Sequence, residues 1–425
     1  MIGALLISFL VFIVLGVPVA VALGGSSLLY VMLEDTTPHL VVVHRMMAGV
    51  DSFPLLAIPF FIMAGSLMNS AGITARIYDF ALALVGWLKG GLGHVNVVGS
   101  VIFAGMSGTA VADAGGLGNI EIRAMRDHGY DVDFAVGITG ASSTVGPIIP
   151  PSLPLVIYGV MANASIGQLF AAGLLPGLFM AATMMGMVAW YAHTRGFHRD
   201  AVFSWIVLGQ TFKRAFLPLM TPVLLIGGMV SGVFTPTEAA IAATAYALFL
   251  GLVVYRTLSL RGLIRVSMET VETTAIILLI VAGASIFGYV ITTTKVTDEI
   301  ANLVLSITDE PWAVLLLINI FLLIIGCFME TIAAITILVP VLLPLVTQIG
   351  VDPVHFGLIM VLNLMIGLLT PPVGMVLYIL ARVANISFER TTKACLPFLI
   401  PLLFSLGVVT YWPEMVMFLP NYFYR

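Results

Sequence analysis

Two stretches, Thr139-Gly-Ala-Ser-Ser-Thr-Val-Gly-Pro-Ile-Ile-Pro-Pro-Ser-Leu-Pro154 and Gly367-Leu-Leu-Thr-Pro-Pro-Val-Gly374, each interrupt a long apolar run. Neither can be a continuous helix. Proline has no amide hydrogen and its ring clashes with the carbonyl four residues back. Pro150 and Pro371 therefore free the carbonyls of Gly146 and Gly367, and Pro151 and Pro372 free those of Pro147 and Leu368. In hydrocarbon an orphan carbonyl costs several kcal/mol unless something satisfies it. A bound cation would do so, helped by the hydroxyls of Ser142, Ser143, Thr144 and Thr370; unwound carbonyls beside half-helix N-termini are a known way of holding Na⁺ and an anionic substrate together. The alternative is a pair of proline kinks satisfied by neighbouring helices or water. One isolated Pro-Pro would favour that alternative, and two matched copies favour the cation.

The surroundings of these breaks are those of a membrane. Of 425 residues 60% are apolar and 9% charged, with 17 Lys+Arg, 21 Asp+Glu and a net charge of -4. A soluble domain carries about 25% charged residues, so a water-soluble fold is excluded. Runs such as 215–232 and 275–288 are apolar on both parities, which excludes a membrane β-barrel and leaves helices. Cys327 and Cys395 form no CxxC and no spaced His/Cys group, so neither a disulfide frame nor a zinc site is supported. No basic patch with interleaved aromatics points to nucleic acid. The apolar run that follows Met1 reads as an uncleaved first helix.

At roughly 20 residues per crossing the chain holds about ten spans. Full spans are expected at 4–32, 53–72, 168–193, 215–233, 237–255, 270–292 and 396–420, with interrupted stretches at 95–122, 134–162, 312–347 and 355–381. Basic loops favour the cytoplasm. Arg195, Arg199, Lys213 and Arg214 form one such cluster and Arg256, Arg261 and Arg265 another, so 215–255 goes out and back through an outer turn at Ser231 to Glu238. The stretch 95–122, flanked by Lys89, Arg123 and Arg126, is too long for one crossing and short for two; it reads as a hairpin dipping in from the cytoplasm. The stretch 312–347 is flanked by Asp309, Glu310, Gln348 and Asp352 and should dip from the opposite face.

The two halves also repeat. Offsetting the chain by 221 positions superposes 105–151 on 326–372 without a gap, with nine identical pairs, six of them Gly, Pro or Asp at breaks: 105/326, 129/350, 131/352, 146/367, 150/371 and 151/372. Beyond the block, Ala162-Asn-Ala-Ser165 answers Ala384-Asn-Ile-Ser387 after a one-residue slip. With the opposite loop charges this predicts two repeats of inverted topology, with a site near the midplane between them. Each hairpin turn, Gly105-Met-Ser-Gly-Thr109 and Gly326-Cys-Phe-Met-Glu-Thr331, could complete a site with its own broken helix. Asp113 and Glu330 become intramembrane acids, functional by default, with helix capping as the equally weighted alternative. Thr235-Pro-Thr-Glu238 fits a capping box and needs no chemistry. The seven histidines and five tryptophans suit interfaces, and the 22 methionines suit helix contacts.

Three segments together, Gly140-Ala-Ser-Ser-Thr-Val-Gly-Pro-Ile-Ile-Pro-Pro-Ser152, Gly232-Val-Phe-Thr-Pro-Thr-Glu-Ala239 and Gly367-Leu-Leu-Thr-Pro-Pro-Val-Gly374, with Met106-Ser-Gly-Thr109, resemble the large membrane (M) subunit of the tripartite ATP-independent periplasmic (TRAP) transporters. The resemblance covers essentially the whole chain. It implies an all-α polytopic membrane protein, an inverted-repeat elevator-type secondary transporter with two helical hairpins and two discontinuous helices, sitting in the bacterial cytoplasmic membrane. It implies import of an organic acid, such as a dicarboxylate or sugar acid, driven by at least two Na⁺ ions. The implied partners are a small four-helix membrane subunit, which is not expected to be fused to this chain, and a periplasmic substrate-binding protein. One sodium site carries over onto Ser107, Gly108, Ser143 and Gly146, and the other onto Gly326, Gly367, Thr370 and Val373. Substrate is expected between the tips, near Thr109 and Thr331, with Ser107, Ser142 and Pro150 as further contacts. The expected division is scaffold at 1–90, transport repeats at 91–165 and 312–387, connecting scaffold at 166–311 and a C-terminal helix at 388–425.

A stand-alone sodium-coupled anion carrier of the same architecture is the rival reading, and the sequence barely separates the two. An intramembrane enzyme is disfavoured, because no HExxH, GxSxG, P-loop or paired catalytic aspartate motif is present.

Overall fold

Both Pro-Pro stretches break helices where the sequence predicts. A computed structural model describes residues 2–34, 38–295, 299, 304, 306, 308 and 310–424, apart from the side chains of Ile2 and Ser107. Its helices are α1 (Ile2–Val14), α2 (Val19–Glu34), α3 (Leu40–Val50), α4 (Ala57–Ser70), α5 (Ile73–Val85), α6 (Gly91–Ser107), α7 (Ala110–Ala112), α8 (Gly118–Asp127), α9 (Val132–Ser143), α10 (Leu153–Ala162), α11 (Ile166–Thr194), α12 (Trp205–Val230), α13 (Pro236–Phe249) and α14 (Leu260–Thr293). They continue as α15 (Pro311–Phe328), α16 (Thr331–Gln348), α17 (Pro353–Gly367), α18 (Met375–Ala384), α19 (Phe388–Cys395), α20 (Leu399–Tyr411) and α21 (Pro413–Phe423). No strand is found among the described residues, and eight helical stretches are long and apolar enough to cross a membrane. The chain is an all-helical polytopic membrane protein with two hairpins and two discontinuous helices.

Some expected boundaries move. The run 4–32 is two helices rather than one, because Gly16 adopts φ +77° and Pro18 follows it. The run 396–420 is likewise interrupted at Trp412, ahead of Pro413. The second hairpin turns later than its glycine suggested: α15 passes through Gly326 to Phe328, and Glu330 starts the returning arm by accepting the amides of Ile332 (2.9 Å) and Ala333 (3.1 Å). Asp309, part of the sidedness argument, lies outside the described residues. The capping box at Thr235 is present, with Glu238 N–H on Thr235 Oγ1 (3.3 Å) and Thr235 N–H on Glu238 Oε2 (2.8 Å).

The repeat recurs in backbone detail. Gly129 and Gly350 both take left-handed φ, +80° and +81°. Two residues on, Asp131 and Asp352 each cap the next helix through a side-chain oxygen. Pro150-Pro151 and Pro371-Pro372 are both cis. The half-helices end on Asn163 (φ +51°) and Asn385 (φ +55°), and Ser165 and Ser387 cap α11 and α19.

Packing interlocks the repeats. Within each one, the first hairpin arm lies on the first half-helix, α6 on α9 and α15 on α17. Between them, α10 packs against α16, the returning arm of the second hairpin, while α18 packs against the returning arm of the first, residues 110–127. Tyr158 of α10 donates its hydroxyl to Pro353 O (2.6 Å), and Arg126 of α8 reaches Ala384 O (3.3 Å). The 34-residue α14 runs between α2, α3 and α4 on one side and α16 on the other.

Candidate functional site: two hairpin tips against two broken helices

At the first tip α6 ends on Ser107, and Gly108 turns the chain at φ +62°. Thr109 then restarts it, its hydroxyl oxygen accepting Ala112 N–H at 3.2 Å. Gly108 O accepts Leu153 N–H of the broken helix at 3.4 Å, and a Cβ on Gly108 would sit 2.5 Å from Pro151 O. The approach is therefore open only to glycine. Across the break, Ile148 and Ile149 both donate to Val145 O at 3.0 Å. Ser152 caps α10 and donates its hydroxyl to Pro147 O, so one of the two carbonyls freed by proline is satisfied by a side chain. Gly146 O accepts no hydrogen bond among the described residues.

The second tip has the same construction with different atoms. Cys327 O accepts Val373 N–H at 3.1 Å, matching the Gly108–Leu153 bond. The Thr370 hydroxyl donates to Gly367 O (2.8 Å) and lies 2.9 Å from Cys327 Sγ. The two backbones touch: a Cβ on Gly367 would be 2.5 Å from Gly326 Cα. At Gly146, the repeat counterpart of Gly367, the nearest such neighbour is Ser143 O at 3.4 Å. Gly146 thus has room that Gly367 lacks.

The structure gathers Gly108, Thr109, Gly146 and Pro151 at one tip, and Gly326, Gly367, Thr370 and Val373 at the other. Thr109, Gly108 and Pro151 line a cleft of about 300 Å³, whose lining also includes Ser66 and Asn69 of α4 and Thr273 of α14. Other expected residues stand apart. Pro150 and Thr331 are buried outside that cleft, whereas Ser143 keeps its carbonyl oxygen beside Gly146 and turns only its hydroxyl away, to Gly140 O at 2.8 Å. The Ser142 hydroxyl faces away, donating to Asn96 Oδ1 at 2.7 Å. The Ser107 side chain lies outside the described residues.

Sequence reasoning missed the amides that tie hairpin to half-helix. Asn96 of α6 holds Ser142, Thr139 Oγ1 (2.8 Å) and Glu121 Oε2 (2.5 Å) together. In the second repeat Asn363, the counterpart of Ser142, donates to Asn319 Oδ1 (2.7 Å), and Asn319 donates to Thr410 Oγ1 (3.1 Å). The available signal was an amide standing alone in an apolar run. Glu121 stands inside 95–122, where its closeness to Arg123 hides it as one more charge at a span end.

Chemically, both tips offer backbone and hydroxyl oxygens, the ligands of a hard monovalent cation. Among the described residues no three or more His, Cys, Asp or Glu are grouped so that they could hold a metal ion. Residues 6–415 match the family described as tripartite ATP-independent periplasmic transporter, DctM component. The chain is 48% identical to the sialic acid TRAP transporter large permease protein SiaM of Vibrio cholerae, over 96% of each chain. It is 38% identical to the C4-dicarboxylate TRAP transporter large permease protein DctM of Pseudomonas aeruginosa, over 95% of this chain and 94% of that one. Among solved structures, the Alcanivorax borkumensis YdaH transporter shares the fold, with TM-score 0.65 over 90% of this chain at 13% identity.

Proposed function

Because the chain belongs to the DctM family, the large permease component of tripartite ATP-independent periplasmic transporters, we propose that it imports an organic acid across the bacterial inner membrane by a sodium-driven elevator movement. The observation that carries this reading is the paired tip, where a hairpin carbonyl bonds an amide one or two residues past a cis Pro-Pro in each repeat. In each repeat a hairpin tip and an unwound helix thus present oxygens to the same place. Sodium there joins hairpin to half-helix, and with both ions bound the hairpins and broken helices move as one unit against α1–α5 and α11–α14. One ion is held by Ser107, Gly108, Ser143 and Gly146, and the second by Gly326, Gly367, Thr370 and Val373. The carboxylate binds in the cleft at Thr109, held by hydroxyls and backbone N–H groups, since no basic side chain lines it.

The partners are a small four-helix permease subunit and a periplasmic binding protein that delivers substrate. Relatives named for sialic acid, C4-dicarboxylate and 2,3-diketo-L-gulonate set the panel for the test: uptake of labelled acids into proteoliposomes holding this chain and its small subunit, under an imposed sodium gradient, with and without the binding protein. Uptake that requires both sodium and the binding protein supports the reading. Uptake indifferent to the binding protein makes the chain a stand-alone carrier, and none with sodium overturns the coupling.

Thr370→Ala removes a hydroxyl ligand and its bond to Gly367 O, worth about 1 kcal/mol. The half-saturating sodium concentration should rise about fivefold, measured as the sodium dependence of initial uptake. Glu238→Gln keeps the capping box, which accepts either residue, at an exposed position at the head of α13. Its sodium dependence should equal that of the unaltered chain in the same assay.

A further inference from the structure

Inside the first hairpin lie two acids with no basic partner among the described residues. Asn96, Ser100, Asp113, Glu121, Thr139 and Ser142 are each at most 1% exposed. Asp113 and Glu121 stand eight residues apart on the returning arm, and both parts of that arm pack against α6, which carries Asn96 and Ser100. Three oxygens of this cluster, Asp113 Oδ2, Glu121 Oε1 and Ser100 Oγ, have no hydrogen-bond partner among the described residues. The ion pairs among those residues, Arg195–Asp131 and Arg390–Asp133, involve neither acid. From the packed elements, Tyr78 of α5 faces Glu121. The nearby cations are turned elsewhere: Arg76 to the carbonyls of Ala71 and Gly72, Arg126 to Ala384 O. His94 of α6 is buried with its Nδ1 unpartnered.

Two bare carboxylates at this depth are electrostatically prohibitive, and one proton held by the two acids removes half the charge and adds a donor to the cluster. Asn96 donates to Glu121 and accepts from Ser142, the neighbour of Ser143 at the break. We propose that Asp113 and Glu121 form a proton-binding pair carried in the first hairpin and linked through Asn96 and Ser142 to the cation loop at residues 143–146. The linkage, though not the pair itself, rests on the sodium reading above. Loss of the proton adds negative charge near that loop, so sodium binds more tightly as pH rises, and coupling of this kind amounts to at least about fivefold.

The test has two arms on the complete permease complex. In the first, the half-saturating sodium concentration for uptake is measured from mildly acidic to mildly alkaline buffer. It should fall at least about fivefold as pH rises, and the dependence should vanish in Glu121→Gln and, with the acids intact, in Ser142→Ala. A pH-independent value in the unaltered complex, or the same slope in both variants, overturns the link. In the second, infrared spectra of the purified complex are compared with those of Asp113→Asn/Glu121→Gln. A protonated-carboxyl carbonyl band present in the former and lost in the latter supports the pair, and identical spectra overturn it. Should sodium drive no uptake at all, the functional reading and with it the linkage fail, and the infrared arm still decides the pair.

Discussion

Gly367→Ala is expected to abolish sodium-driven uptake. The added methyl meets backbone rather than a side-chain end: Gly326 C, Cα and O would lie at 2.4, 2.5 and 2.7 Å. Neither partner can rotate away, so the second hairpin tip must back off from the broken helix. That displacement separates Cys327 O from Val373 N–H and moves Gly326 and Gly367 apart, and these are two of the oxygens assigned to the second ion. Overpacking of this kind costs about 1–3 kcal/mol, and at the upper end the loss of affinity is about a hundredfold. The measurement is initial uptake against sodium concentration, with Gly186→Ala as the folding control because nothing lies within 4 Å of its new methyl. Unaltered uptake in Gly367→Ala would remove the second site from this tip.

Gly108→Ala should be comparably severe for a different reason. Its φ of +62° is the left-handed region, where a Cβ costs about 1–2 kcal/mol, and the same methyl would stand 2.5 Å from Pro151 O. Strain and clash act together on the turn that lines the cleft and presents Thr109. Uptake should drop about a hundredfold, with loss of apparent affinity for both sodium and the organic acid, read from separate titrations of each. A change confined to sodium would place the acid elsewhere than the cleft at Thr109. By contrast Gly146 has only ordinary contacts around its missing Cβ, so bulk there acts through the size of the side chain rather than through any methyl.

The legible part of this protein was written in short-range rules. A proline removes one N–H and one acceptor's partner within four residues, so both helix breaks followed from Pro150-Pro151 and Pro371-Pro372 alone. Left-handed turns at Gly129, Gly350, Asn163 and Asn385, and the capping box at Thr235, are likewise set by residues within one turn of each other. The recurrence of the breaks and left-handed turns 221 or 222 positions apart, together with an apolar composition that leaves helices as the only spanning structure, was enough for the repeats, the hairpins and the fold class. The split of the first run at Gly16-Val-Pro18 obeyed the same rule and was readable.

The partners of groups that local rules leave free needed the tertiary structure. The carbonyls next to the prolines are the local exception: Ser152 reaches Pro147 O five residues back, and Thr370 gives Gly367 O both its N–H (3.0 Å) and its hydroxyl (2.8 Å) within one turn. Ser142 has the same hydroxyl as Ser143 and stands next to it, yet the Asn96 amide, 46 residues away, turns it into the hairpin interior. The closeness of Gly326 to Gly367 against the room around Gly146, and the burial of Glu121 beside Asp113, depend on which helix faces lie together. Sequence determined where the backbone must break, because the clash is covalent and local. Packing determined which oxygen faces which, because those contacts join residues tens of positions apart whose meeting no single-segment pattern encodes.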